Sequence, residues 1–196
     1  MKRLDGVHTF HAKDREAWRS WLATNHASEK SVWLIIYKKE SGTPSVYYDE
    51  AVDEALCFGW IDSKPNKRDE ASFFQYFSKR NPKSNWSRVN KQKIARLLQE
   101  ERMAEAGLQM VKQAKELGTW NALDEVENLI VPPDLQEAFS QYETAQANFE
   151  TFPKSAKRSI LEWIFNAKRT ETRAKRIQET AELASKNIRA NQYRKK

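Results

Sequence analysis

The sequence predicts an α+β protein: a small, mostly antiparallel sheet packed with helices, followed by a helical C-terminal region. Three observations carry that expectation. Residues 31–38, SVWLIIYK, are β-branched, aromatic and apolar at successive positions, as in a strand covered on both faces. Residues 60–64 and 72–78 read as two further strands joined by the polar turn 65–70, a hairpin with a charged tip. From the double proline Pro132-Pro133 onward, apolar residues recur only at helical spacings.

Each element has its own local reason. Over residues 14–25, Ala17, Trp18, Trp21 and Leu22 fall on one helical face, with Asp14 and Glu16 suited to the positive end of the dipole. The run 31–38 is the expected central strand. The turn Gly42-Thr43-Pro44 leads to a helix over about 49–58, with Ala51, Val52, Ala55 and Leu56 inward, acidic residues in its first two turns, and Gly59 as its stop. Ser84 is the expected cap of a helix over about 85–101 bearing Val89, Ile94, Leu97 and Leu98. Another helix spans about 103–117 and ends at Gly118. These signals place an α+β domain at 1–118, a linker at 119–133 and a helical module at 134–196. Within that module, helices are expected over about 134–141, near Phe149, over 155–167, and from Thr170 onward, with 192–196 fraying.

Composition narrows the function classes. With 39% hydrophobic and 11% aromatic residues in 196, global disorder and a disulfide miniprotein are both excluded. The single cysteine, Cys57, forbids an internal disulfide and a paired-thiolate zinc site. His8 and His11 have no third ligand nearby, so polar residues on a terminal strand are preferred to a metal site. The longest apolar run, Val32 to Tyr37, is far shorter than the roughly 20 residues of a membrane span. The first ten residues carry charges and no apolar core of a signal peptide, so the expected address is cytoplasmic. Net charge is +7, distributed as −2 over residues 1–63, +8 over 64–96, −8 over 97–153 and +9 over 154–196. That alternation lets acidic and basic segments neutralise one another, which leaves nucleic acid only weakly supported as a partner.

Three segments carry candidate chemistry. In EALCFGWIDS (54–63), a helix that stops at Gly59 and turns at once into Trp60-Ile61-Asp62 gathers Cys57, Trp60 and Asp62 at one corner. Cys57 lies at the negative end of its helix with no histidine nearby, so a small buried hydrophobe is the preferred reading of it. In SKRNPKSNWSRVN (78–90), Arg80, Lys83, Ser84 and Trp86 combine cations, a hydroxyl and a ring, a set suited to a phosphate or carboxylate. The nearby Phe73, Phe74, Tyr76 and Phe77 are either stacking surfaces or core. The third segment is AKRTETRAKRI (167–177). There Lys168, Arg169, Arg173, Lys175 and Arg176 form a cationic stripe, with Ala174 and Ile177 expected to pack, and pairing with the acidic middle of the chain is preferred to phosphate binding. No P-loop, dinucleotide fingerprint, HExxH or GxSxG is present, and no cofactor is expected.

EALCFGWIDS followed by RNPKSNWSRVN, with VWLIIYKK before and AKRTETRAKRI after, resembles the bacterial YdeI/OmpD-associated, or bacteriocin-protection, family over nearly the whole chain. The C-terminal stretch is similar to that family's helical module. The resemblance implies an uncharacterised protein of stress or bacteriocin protection, associated with a porin and without established enzymatic activity. A periplasmic address sometimes given to the family is not matched by this amino terminus. The expected function is non-enzymatic binding of a small anionic ligand or acidic partner, through Trp60, Asp62, Arg80, Lys83, Ser84 and Trp86. Two alternatives stand beside it. One is an enzyme using Asp53, Glu54 or Asp62 as base beside Arg80, with Cys57 as nucleophile. The other is a weak nucleic-acid binder using the basic segments 64–96 and 168–176.

Overall fold

The structure is a computed structural model that describes residues 3–192. The chain forms two compact units, Met1–Asn121 and Ala122–Lys196. In the first unit the elements are β1 (Arg3–Leu4), β2 (Val7–His11), α1 (Arg15–Asn25), β3 (Ser31–Tyr37), α2 (Tyr48–Cys57), β4 (Trp60–Lys67), β5 (Ser72–Lys79), α3 (Arg88–Gln99) and α4 (Glu105–Glu116). The strands make one sheet in the order β1-β2-β3-β5-β4, so β3 is central, and only the β2/β3 pairing is parallel. An α+β class with a mostly antiparallel sheet is therefore what forms.

Side-chain alternation along β3 builds the core. Val32, Leu34 and Ile36 face the helices together with their cross-strand partners Phe77, Gln75 and Phe73. Trp18, Trp21 and Leu22 of α1 and Ala51, Val52, Ala55 and Leu56 of α2 close over them. Each fully buried large side chain contributes roughly 1.5–3 kcal/mol. Gln75 is the polar member of this layer, and its Nε2 donates to the Ser63 carbonyl at 3.0 Å, beside the bulge between Asp62 and Pro65. That bulge carries β4 through Pro65 to Lys67, where the sequence predicts a turn over 65–70.

Helix ends follow capping chemistry. Asp14 Oδ1 accepts from the Ala17 N–H at 2.7 Å and starts α1. At the other end of α2, Gly59 adopts φ +72°, the left-handed conformation that ends a helix at little cost. The cap of α3 is Ser87, whose Oγ accepts from Asn90 N at 3.3 Å, and not Ser84. Ser84 lies one turn earlier, where its Oγ donates to the Asn81 carbonyl at 2.6 Å. The Ala104 N–H, at the start of α4, donates to the Cys57 carbonyl at the end of α2. Opposite helix ends thereby satisfy each other.

The second unit is helical: α5 (Asp124–Glu127), α6 (Pro133–Ser140), α7 (Ala145–Thr151), α8 (Lys154–Phe165) and α9 (Thr170–Ser185). The short α5 falls where the sequence predicts linker. Leu135, Phe139, Phe149, Ile160, Leu161 and Ile164 pack with the small residues Ala181 and Ala184 of α9. Of the two residues expected to pack from the cationic segment, Ile177 is buried but Ala174 is exposed. Residues 193–196, part of the expected fraying end, lie outside the described residues. Among the described residues no helix is long and apolar enough to cross a membrane.

Candidate functional site

The antiparallel β4/β5 pairing joins the two candidate segments of the first unit. Trp60 lies opposite Lys79, and the Arg80 N–H donates to the Gly59 carbonyl at 3.0 Å. The six expected site residues divide into an interior and a surface group. Trp60 is 1% exposed, packs edge-on against Trp21, and donates Nε1–H to the His26 carbonyl at 3.3 Å. Trp86 is also buried, with Trp120 against it. Arg80 is 5% exposed, with its guanidinium carbon 3.8 Å from the centroid of the Trp86 ring. Lys83 is exposed on the Asn81–Ser84 turn, and Asp62 is half-buried. The Asp62 carboxylate accepts from the Tyr48 hydroxyl at 2.6 Å. Burial and this hydrogen bond together push the Tyr48 phenol above its ordinary pKa. Tyr48 belongs to the site's surroundings and was not among the expected residues. Its position at the first turn of α2 carries no motif.

Arg80 is the unusual group. Nη2 donates to the Asn85 carbonyl at 2.5 Å, whereas Nε is buried and has no hydrogen-bond partner. No carboxylate lies within ion-pairing distance of it among the described residues. Burial pulls its pKa down to about 10, with the Asp62 charge acting in the opposite direction. At neutral pH the group is thus a desolvated cation, stacked on an indole and short of one acceptor.

Of the three carboxylates proposed as bases, Asp53 and Glu54 sit elsewhere, in a dense ion network. Glu54 is fully buried and accepts from Arg15 Nε at 2.6 Å, Arg19 Nη1 at 2.6 Å and Arg102 Nη2 at 2.7 Å. Asp53 accepts from Lys93 Nζ at 2.8 Å and Arg96 Nη2 at 2.5 Å. Burial alone would raise both carboxyl pKa values, but the cationic donors outweigh it and hold both below the ordinary range. Burial pushes the Cys57 thiol up to about 11. A general base needs a pKa near neutrality and a nucleophilic cysteine a lowered one, so neither carboxylate nor thiol is tuned for catalysis. Sequence reasoning placed Ala51, Val52, Ala55 and Leu56 inward but missed that Asp53 and Glu54 are interior as well. The available signal was five apolar residues in the seven positions 51–57, too many for a helix with a solvated face.

Other expected contacts resolve within the units. His8 Nδ1 lies 3.5 Å from Glu29, and a ring nitrogen of His11 lies 3.0 Å from the Pro44 carbonyl. Arg173 forks onto Asp134 at 2.6 and 2.9 Å, an ion pair of the kind expected with the acidic middle. Arg176 donates Nη1–H to the Trp163 carbonyl and covers the Trp163 ring.

Comparison with known proteins places the two units in different families. Residues 10–110, just over half the chain, match the family described as Domain of unknown function (DUF8412). Residues 128–187 match the family described as Bacteriocin-protection, YdeI or OmpD-Associated. No curated protein and no solved structure matches the chain. The YdeI/OmpD likeness is therefore narrower than the near whole-chain reach expected from the motifs: AKRTETRAKRI lies within it, whereas EALCFGWIDS and RNPKSNWSRVN fall in the other match. The chain belongs to the DUF8412 family, whose model spans most of the α+β unit, while part of its helical unit is similar to the bacteriocin-protection, YdeI/OmpD-associated family.

Proposed function

We propose that the protein is a non-enzymatic binding protein of the bacteriocin-protection type, whose α+β unit takes a small anionic ligand or the acidic group of a partner at Arg80. One observation carries the proposal: among the described residues, the buried guanidinium has an unpartnered Nε–H and no carboxylate in ion-pairing distance. Leaving such a group unmatched costs about 1–3 kcal/mol or more, and an entering carboxylate or phosphate oxygen offsets it. The cation–π contact with Trp86, 3.8 Å from guanidinium carbon to ring centroid, holds the group in place before the anion arrives. Lys83 is exposed on the turn that follows Arg80, and Ser84 on the same turn adds a hydroxyl that donates to the Asn81 carbonyl. Asp62, whose charge acts on Arg80 without an ion pair, adds repulsion against an entering anion.

Isothermal titration with inorganic phosphate, acetate and a short polyglutamate peptide tests this. Arg80→Lys keeps the charge but loses the planar fork, and Arg80→Ala loses both. The expected result is measurable binding of at least one anion at low salt, weakened about 10- to 150-fold by Arg80→Ala and by a lesser factor in Arg80→Lys. Equal affinity in wild type and a natively folded Arg80→Lys protein, or no heat from any of the three at millimolar concentration, overturns the proposal.

A further inference from the structure

The second face of the sheet in the α+β unit takes no part in that unit's core. Its residues follow from the register: Trp33 and Tyr76 are cross-strand partners, as are Ile35 and Phe74, and Tyr37 comes next along β3. These positions alternate with the core-facing Val32, Leu34 and Ile36, and the packed core omits all of them. Phe74, Tyr76, Ile35 and Tyr37 are half-exposed. Trp33 is 2% exposed beneath them, with Tyr76 edge-on at 4.8 Å and Phe74 at 6.1 Å. Its Nε1–H is buried without a hydrogen-bond partner.

Cations from β4 and its turn lie over these rings. Lys64 Nζ is 5.9 Å from the Trp33 ring, and the Arg68 guanidinium is 5.4 Å from Tyr37 and 6.0 Å from Phe74. Arg68 is held there by bonds to the Tyr37 hydroxyl and to Ser72 Oγ. Lys64 is exposed and has no carboxylate in ion-pairing distance among the described residues. It is free to leave the ring for a phosphate without breaking an ion pair.

We propose that this face binds single-stranded nucleic acid, with bases stacked on Tyr76 and Phe74 and the sugar-phosphate chain running past Lys64 and Arg68. Charge complementarity selects an anion, since two cations, Lys64 and Arg68, lie over the rings and, among the described residues, only Arg68 has a carboxylate near it, Asp69 at 3.5 Å. The rings select among anions. An acidic peptide would engage the cations and leave the π-faces unused, whereas every base offers a flat partner to an aromatic ring. A duplex hides those base faces in its own stack, so only an unpaired strand uses both components. The inference does not depend on Arg80, whose side chain packs on Trp86 and not with these rings.

Fluorescence anisotropy with labelled short oligothymidylate and a duplex of equal length decides the matter. Expected are tighter binding of the single strand, loss of affinity with salt, a shallower salt slope by about 0.7 in Lys64→Gln, and about fivefold or greater weakening in Tyr76→Ala. Circular dichroism checks that each variant is folded. Should Tyr76→Ala misfold, Lys64→Gln at an exposed position still tests the slope. Equal affinity for duplex, an unchanged slope in Lys64→Gln, or wild-type affinity in folded Tyr76→Ala overturns the proposal, as does displacement of the strand by a stoichiometric acidic peptide.

Discussion

Replacing Glu54 by glutamine should be among the most damaging conservative changes in the chain at neutral pH and nearly silent in acid. The wild-type carboxylate is fully buried and receives hydrogen bonds from Arg15, Arg19 and Arg102, all within 2.7 Å. Glutamine fills the same volume but presents one carbonyl oxygen to three guanidiniums and turns an NH₂ group toward them. Removing one partner of a buried charge cluster costs about 3–5 kcal/mol, because the opposite charges remain desolvated. The three arginines keep about a quarter of their side-chain surface in water, which favours the lower end of that range. At a urea slope of about 2 kcal/mol per molar, a loss of 3–4 kcal/mol moves the unfolding midpoint down by roughly 1.5–2 M. Tryptophan fluorescence follows the right unit, since six of the seven tryptophans precede Ala122. The pH dependence supplies the sign. Hydrogen bonds from the arginines, outweighing burial, hold the Glu54 carboxyl below its ordinary value of 4.5, so around pH 4 the unfolded chain binds more protons than the folded one. Its contribution is complete above the unfolded pKa and drains away as pH falls through the folded one. Wild type and Glu54→Gln should therefore converge in acid. A neutral-pH penalty under about 1 kcal/mol, or a gap that persists unchanged in acid, refutes the assigned role.

Two further outcomes follow from close geometry. A Cβ at Gly107 would lie 2.3 Å from the Cys57 carbonyl oxygen, and both are backbone-fixed where α2 meets α4. Gly107→Ala should cost about 3 kcal/mol in urea unfolding, and a loss below about 1 kcal/mol would show that this junction yields. Tyr48→Phe removes the hydroxyl that holds Asp62, at an exposed position where stability should barely change. The released carboxylate then competes for Arg80, so phosphate affinity should fall about two- to tenfold; unchanged affinity means Asp62 is held by other contacts.

How much of this was legible in the sequence depended on whether a local rule applied. The central strand, the cap at Asp14 and the stop at Gly59 each follow from a short-range pattern, and each is found. The same holds for Asp5-Gly6, where positive φ at both residues makes the β1/β2 turn, a two-residue hairpin signal that passed unused. Ser84 and Ser87 are equivalent as caps in sequence, but the Ser84 hydroxyl donates to the Asn81 carbonyl and it is Ser87 that caps α3. Pro65 argued against a strand, but a bulge at the sheet edge accommodates it. For the candidate site, the proximity of 54–63 and 78–90 could be anticipated from hairpin pairing. The inward turn of Arg80 could not, because nothing local distinguishes it from the solvated Lys79 or Lys83. The arginines around Glu54 come from α1 and from the segment between α3 and α4, and no spacing rule links residues so far apart.

The α+β unit thus handles two buried ionic problems in opposite ways. Around Asp53 and Glu54, cations are supplied from several elements until each carboxylate is matched, and the set forms a stabilising cluster. Around Arg80 the nearest influential carboxylate, Asp62, is held by Tyr48, and the guanidinium keeps one backbone carbonyl and a ring. A purely structural cation at this position would be expected to draw a carboxylate into contact, because burial of an unpaired charge is costly and Asp62 sits within electrostatic reach. Stabilisation of the fold alone accounts for the first arrangement but leaves the second unexplained. An anion from outside the chain would supply the missing partner, and on that ground the binding proposal is centred on Arg80 and not on the larger concentration of arginines beside α2.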